Sequence, residues 1–394
     1  MRCTRAVPIP SPTTWAWRPT SGWSTPRCPS SPRHERPPTR RSHHTAFREP
    51  NRRSHADPMK AVQLNSFERR PGWIAVVDIP DPVVIGPGEV EVAILASPIN
   101  PSDVLRLSGG YFHPMALPFQ PGAEGVGRVV RVGLQVAGLA AGDLVIMLTA
   151  GNWVQRRVLP AAAVHKVPAA ADLTQLAMLL VNPGTAWMML HHVRALTPGD
   201  WIIQNAANSA VGRLVIRFAR ELGCKTINVV RAKAAADAVE RAGGDLVLVD
   251  GPDLLRRMEE VVGRSKVRLG LDAIAGAATG RIAACLGVGA HLVTYGMLSG
   301  EDCQIPVGVL IGSELTCVGL RLRGEVMRSI DMSKTYDALA QRLLAGERFN
   351  DVGGTCALED IDDVLAQLPA ALGGKILLLP NGPLPACTPV TPAS

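Results

Sequence analysis

Aromatic residues make up only 4% of this 394-residue chain, too few to line a platform on which nucleobases stack. No stretch reaches the roughly 18 uninterrupted apolar residues of a membrane span, so no membrane association is expected. The eight cysteines form no C-x-x-C pair, and none has histidine neighbours at ligand spacing. A zinc site built from local sequence is thereby excluded, and metal ligands are expected to be none. Scattered thiols in a chain of this size fit a reducing compartment and a cytoplasmic protein. The dinucleotide fingerprint G-x-G-x-x-G is missing too.

Lysine is absent from residues 1–57, which hold eleven arginines against Glu35, Glu49 and Asp57. That leader carries +8, so the rest of the chain carries −1 of the formal +7. The basic balance therefore says nothing about the ligand of the folded part, and no nucleic-acid partner is expected there. The leader is rich in Pro, Arg, Ser and Thr, and has too few apolar residues to offset the entropy of ordering. It reads as a transit peptide, which would make the protein mitochondrial, as a basic interaction tail, or as translated sequence upstream of Met59. The last reading fits best, because ten prolines suit an amphipathic targeting helix poorly.

From Lys60 to about Val167, short β-branched runs alternate with Gly and Pro. Segments 74–78, 89–95, 125–132 and 143–148 are expected strands of a β-rich, barrel-like unit. Beyond Leu173 strands and helices alternate, with strands expected at 201–205, 226–230, 246–249, 269–273 and 291–295, and a sixth at 315–320. That alternation predicts an α/β fold with a doubly wound parallel sheet. Residues from about 321 to 379 would return to the first unit, and 381–394, rich in Pro and Thr, would form a loose tail.

The strongest local signal is Trp201–Gly212, an apolar strand running into a loop of small residues, followed by the helix-like 213–223. Small residues let the backbone approach a pyrophosphate at a helix N-terminus, where free amides favour negative charge. Ala206, Ser209 and Gly212 take the 3-3 spacing of the usual glycines, with Asn208, Ala210 and Val211 between them. About twenty residues on, where an acid would take the ribose hydroxyls of NADH, stands Arg231, with Lys233 beside it. Two cations there suit a 2′-phosphate, so the expected cofactor is NADPH.

Asn182-Pro-Gly-Thr-Ala186, Gln204–Gly212 and Thr226–Arg231 closely resemble the 2-enoyl thioester reductases of the medium-chain dehydrogenase/reductases. Pro98–Asp103, Gly110-Tyr111, Pro121–Gly125 and Gly151–Trp153 extend the resemblance over nearly all of residues 59–379. It implies a Rossmann-type unit over 181–319 and a GroES-like, partly open barrel over 59–180 and 320–380. It points to the zinc-free branch, since zinc relatives carry Cys near Asn100 and His in place of Ala123. It also implies NADPH-dependent reduction of a trans-2-enoyl thioester by a homodimer.

In that family a tyrosine at the position of Tyr111 supplies the catalytic hydroxyl. Asn100, Asn182, Thr185, the loop Asn208–Gly212, Arg231, Lys233, the segment Tyr295-Gly296-Met297 and Lys375 are implied to hold the cofactor. One departure bears on the acyl pocket: Gly319-Leu320-Arg321 stands where the family often has Gly-Phe-Trp. Two alternatives remain open. A zinc-free NADPH:quinone oxidoreductase shares the loop but usually lacks the tyrosine. A non-catalytic NADPH- or RNA-binding relative would draw on the leader, and its RNA affinity would fall steeply with salt only when residues 1–58 are present.

Overall fold

Beyond Pro58 the chain alternates β-branched runs with turns, and the computed structural model describes residues 58–82, 84–111, 115–322, 324, 329–368 and 374–385. The leader and residues 386–394 of the expected tail lie outside the described residues. Seven strands come first: β1 (Met59–Leu64), β2 (Ile74–Ile79), β3 (Glu89–Pro98), β4 (Val126–Val132), β5 (Leu144–Met147), β6 (Arg156–Pro160) and β7 (Val164–Val167). Six follow in alternation with helices: β8 (Trp201–Gln204), β9 (Lys225–Val230), β10 (Leu246–Val249), β11 (Val267–Asp272), β12 (His291–Thr294) and β13 (Thr316–Gly319). Two more, β14 (Val352–Cys356) and β15 (Lys375–Leu378), close the order.

Strands β14-β15-β3-β4-β5-β7 form one sheet, with β6 also on β3, so the last two strands do return to the first unit. β1 and β2 pair separately and touch this part through the bridges Ala61–Val154 and Leu64–Phe119. The barrel is left open. Local patterning passes over β1, β6 and β7 for a physical reason. β6 opens on Arg156-Arg157, and what makes it a strand is its antiparallel pairing with β3, far away in the chain. The expected loose tail also begins late, because Asn381 Nδ2 donates to the Ile94 and Gln155 carbonyls, both at 2.8 Å.

The six strands β8 to β13 form an all-parallel sheet in the order β10-β9-β8-β11-β12-β13. The order reverses between β8 and β11, which opens a crevice at their carboxyl ends. One apolar core joins this sheet to the first unit through Leu176, Met188, Phe218, Leu271, Val293 and Leu339. Each such side chain contributes about 1.5–3 kcal/mol by leaving water. No helix among the described residues is long and apolar enough to cross a membrane.

The loop Pro121–Gly125 is wedged against Asn152 and Trp153. Gly122 has φ +105, and a Cβ there would stand 2.6 Å from Trp153 Cδ1 and 2.8 Å from the Asn152 and Trp153 nitrogens. Gly122→Ala is therefore expected to destabilise the fold by about 2–3 kcal/mol, read as a lower urea midpoint. An unchanged midpoint would show that the loop can shift without cost.

Candidate active site

Strand β8 ends at Gln204 and runs into Asn205 and a loop of small residues, and helix Ala210–Glu221 begins at once behind it. Ser209 is the N-cap, its hydroxyl accepting from Gly212 N at 3.1 Å. Gly212 has no room for a side chain: a Cβ would lie 2.5 Å from the Ala207 carbonyl oxygen and 2.8 Å from that of Ala206. Ala206 sits at φ +48, the left-handed backbone that a glycine takes freely. Strain of about 1 kcal/mol is thus held in the loop. Asn208 is exposed and Ser209, Ala210 and Val211 are half-buried, so this cradle of backbone faces the crevice at the helix start.

Below it a buried polar chain fixes the strands. Gln204 Nε2 donates to the Gly212 carbonyl (2.9 Å) and to Asn228 Oδ1 (2.8 Å). Asn205 Nδ2 donates to Asp272 Oδ1 at 2.6 Å, tying β8 to β11. Asp272 is fully buried and accepts three more hydrogen bonds, from Ile274 N, Ala275 N and Thr279 Oγ1. It caps the loop after β11, with three donors on Oδ1 and one on Oδ2 holding it in place. Past the end of β9, Arg231 and Lys233 are exposed and make no ion pair among the described residues.

After β12 come Tyr295, Gly296 and Met297, all half-buried. A Cβ on Gly296 would lie 2.6 Å from the Ala273 carbonyl, so the loops after β11 and β12 touch by backbone. The Tyr295 hydroxyl is buried with no hydrogen-bond partner among the described residues, and burial pushes its phenol well above the ordinary tyrosine value. Asn182 and Thr185 open the helix Asn182–His191. Asn182 is already occupied, donating to Asn350 Oδ1 at 3.0 Å.

A second group of residues meets in the first unit. Asn100 Nδ2 donates to Glu124 Oε1 (2.9 Å), Lys375 Nζ donates to Asn100 Oδ1 (2.8 Å), and Val181 N donates to Glu124 Oε2 (2.8 Å). Asn100 N in turn donates to Asp103 Oδ2 at 3.0 Å. The resemblance singled out Asn100 and Lys375, but no local pattern says that they meet, since they lie 275 positions apart. From Asn100 the helix Pro101–Leu107 leads to the turn at Gly109 and to half-buried Tyr111.

Burial pushes the Glu124 carboxyl up to about 7, against the opposing pull of the Val181 amide, Asn100 and Lys375. Burial likewise holds Lys375 below the ordinary lysine value, against Glu124 and Asp103. A carboxyl whose folded value is raised contributes stability that is complete below its unfolded value. That contribution is lost as pH rises through the folded value. The wild-type melting temperature is therefore expected to fall between pH 5 and 8, by the equivalent of about 3 kcal/mol. Glu124→Gln should flatten that slope, and parallel curves for the two proteins would contradict the assignment.

Residues 86–169 match the alcohol dehydrogenase GroES-like domain, and residues 210–342 match a family described as zinc-binding dehydrogenase. A zinc ion does not fit the residues present. The amide of Asn100 and the ammonium of Lys375 meet near the place where zinc relatives carry Cys, and a cation there would be repelled. Among the described residues no group of three His, Cys, Asp or Glu could hold a metal.

The mitochondrial enoyl-acyl-carrier-protein reductase of Rattus norvegicus is 36% identical over 297 residues, 71% of this chain and 75% of that protein. A candidate NADPH:quinone reductase from Bacillus thuringiensis has a similar structure, with a TM-score of 0.75 and 26% identity over 82% of this chain and 99% of its own. Etr1p, the mitochondrial 2-enoyl thioester reductase solved with NADP and crotonyl-CoA, shares the fold with a TM-score of 0.68 and 24% identity, covering 82% of this chain and 99% of its own. An open β unit, a parallel sheet with its crevice, and this extent of identity lead to one assignment. The chain belongs to the enoyl-acyl-carrier-protein reductase family of the medium-chain dehydrogenase/reductases.

Proposed function

We propose that this protein uses NADPH to reduce the C=C bond of a trans-2-enoyl thioester. The observation that carries the reading is Tyr111, presented half-buried by a glycine turn in a chain that belongs to a family of enoyl reductases. The residues present fit a dinucleotide phosphate. Gly212 leaves a cradle that a Cβ would fill, and Arg231 and Lys233 stand exposed, without an ion pair among the described residues, for a 2′-phosphate. Asn208–Gly212 would take the pyrophosphate at the helix start. Thr185, Tyr295-Gly296-Met297 and, through Asn100, Lys375 would border the nicotinamide, with Asn182 bracing the helix from its bond to Asn350.

NADPH, when bound, supplies the hydride. As it reaches the β-carbon, negative charge develops on the thioester oxygen, and a donor positioned there lowers the barrier most. The Tyr111 hydroxyl is the group to hydrogen-bond that oxygen or to pass a proton to the α-carbon. We assign residues 181–319 to the cofactor and 59–180 with 320–380 to the substrate.

A second reading, NADPH:quinone reduction, is favoured by Arg321, exposed where many relatives carry an aromatic residue. NADPH oxidation with crotonyl-CoA, a longer enoyl-CoA and a quinone separates the two. The thioester reading expects enoyl-CoA turnover that falls at least about tenfold in Tyr111→Phe, equivalent to some 1.4 kcal/mol. Quinone turnover indifferent to Tyr111, without enoyl activity, would move the protein to the second reading.

The working unit is proposed to be a homodimer. Among the described residues the outer edge of β13 has no neighbouring strand, and on the preceding helix Val307–Gly312 the side chains of Val307 and Ile311 are 68% and 70% exposed. A monomer mass in sedimentation would sink that proposal. A mitochondrial address for residues 1–58 is supported by the relatives' location. Failure of isolated mitochondria to import a fusion carrying those residues would reject it.

A further inference from the structure

We infer that Arg106 is a positioning residue for Tyr111, holding the phenol ring in the attitude in which its hydroxyl meets the reacting end of the substrate. The inference rests on the reading of Tyr111 above.

Helix Pro101–Leu107 is anchored at its start, where Asn100 is held between Glu124 and Lys375 and its backbone N–H is capped by Asp103. Its end is equally defined. Gly109 N donates to the Arg106 carbonyl and Gly110 N to that of Leu105, both at 3.1 Å. Gly109 takes φ +72, so the chain reverses there. The reversal lays Tyr111 back over the last helical turn, where Arg106 Cζ stands 4.3 Å from the ring centroid.

A guanidinium within about 6 Å of an aromatic face is attracted by the negative charge of that face. Arg106 is half-buried and makes no ion pair among the described residues, so the Tyr111 ring is where its charge is directed. Two effects follow. The ring loses freedom before the substrate arrives, which spares that cost in the transition state. A positive charge over the ring also makes the phenol a better hydrogen-bond donor to the oxygen it serves. Residues five apart do not face each other along a helix. Only the glycine turn makes this pair neighbours, which is why spacing alone does not reveal it.

The test measures kcat and KM for crotonyl-CoA and NADPH in Arg106→Ala and Arg106→Lys, each in the wild-type and Tyr111→Phe backgrounds. Thermal melts establish that each variant is folded. Arg106→Ala is expected to lower kcat about tenfold with KM for NADPH unchanged, and Arg106→Lys to recover most of it, since an ammonium also sits over a ring. In the Tyr111→Phe background Arg106→Ala should cost less than about twofold, because the two residues act as one unit. An equal loss in both backgrounds would overturn the inference, as would a loss confined to KM for the enoyl-CoA, which would make Arg106 a substrate contact. Wild-type turnover by Tyr111→Phe would overturn the reading of Tyr111 and this inference with it. Full dependence on Tyr111 with additive Arg106 losses overturns only the inference.

Discussion

Asp272→Ala is expected to lower the stability of the protein by about 4 kcal/mol, the largest single effect anticipated for a residue that makes no chemistry. The carboxylate is fully buried, and four donors converge on it: Asn205 Nδ2, Ile274 N, Ala275 N and Thr279 Oγ1, at 2.6 to 3.0 Å. Alanine strands them all, and each buried donor left without a partner costs roughly 1–3 kcal/mol, partly recovered by relaxation. The loop it caps holds Ala275 at φ +66 and Gly276 at φ +61, a conformation that the cap offsets.

Asp272→Asn makes the control. Its oxygen can still accept from the Oδ1 donors, and the Thr279 hydroxyl can turn to accept from the new amide, so the expected cost is only about 1–2 kcal/mol. Urea midpoints for the two variants provide the measurement. Equal losses would mean that charge matters more than the number of hydrogen bonds, and no loss in either would remove Asp272 from the list of supports.

Arg231→Glu is expected to change cofactor preference without changing stability. The side chain is exposed and unpaired among the described residues, so folding should shift by less than about 0.5 kcal/mol. Binding is another matter. Removing a cation from a 2′-phosphate and placing a carboxylate beside it should weaken NADPH by about a hundredfold. NADH has ribose hydroxyls that a carboxylate can accept from, and it should bind as well or better. Fluorescence titration of both cofactors gives the ratio. A ratio unchanged by the substitution would show that Arg231 is a solvated loop residue and that the phosphate lies elsewhere.

Much of this architecture is legible from local chemistry. The six strands β8 to β13 stand out because each is a short apolar run flanked by helical periodicity, which predicts a parallel sheet, while the structure supplies their order. The loop proposed to hold the cofactor is visible for the same reason. Strand, small residues and helix are consecutive in the chain, and Arg231 falls at the tip of the next strand. The open β unit is harder to read. The segment β6 is a strand only because β3 lies beside it, and β15 joins the same sheet from the far end of the chain.

The residues themselves thus determined the alternating α/β order and the strand, small-residue loop and helix on which the proposed NADPH site rests, because each depends on neighbours within about thirty positions. Tertiary structure alone decided the rest. Lys375 meets Asn100 and Glu124, Asp272 gathers the loops after β8 and β11, and Arg106 lies over Tyr111. The reason is physical. A buried polar or charged group is stable only where distant segments supply its partners, and nothing in the local pattern around a lysine or an aspartate says which segments will arrive.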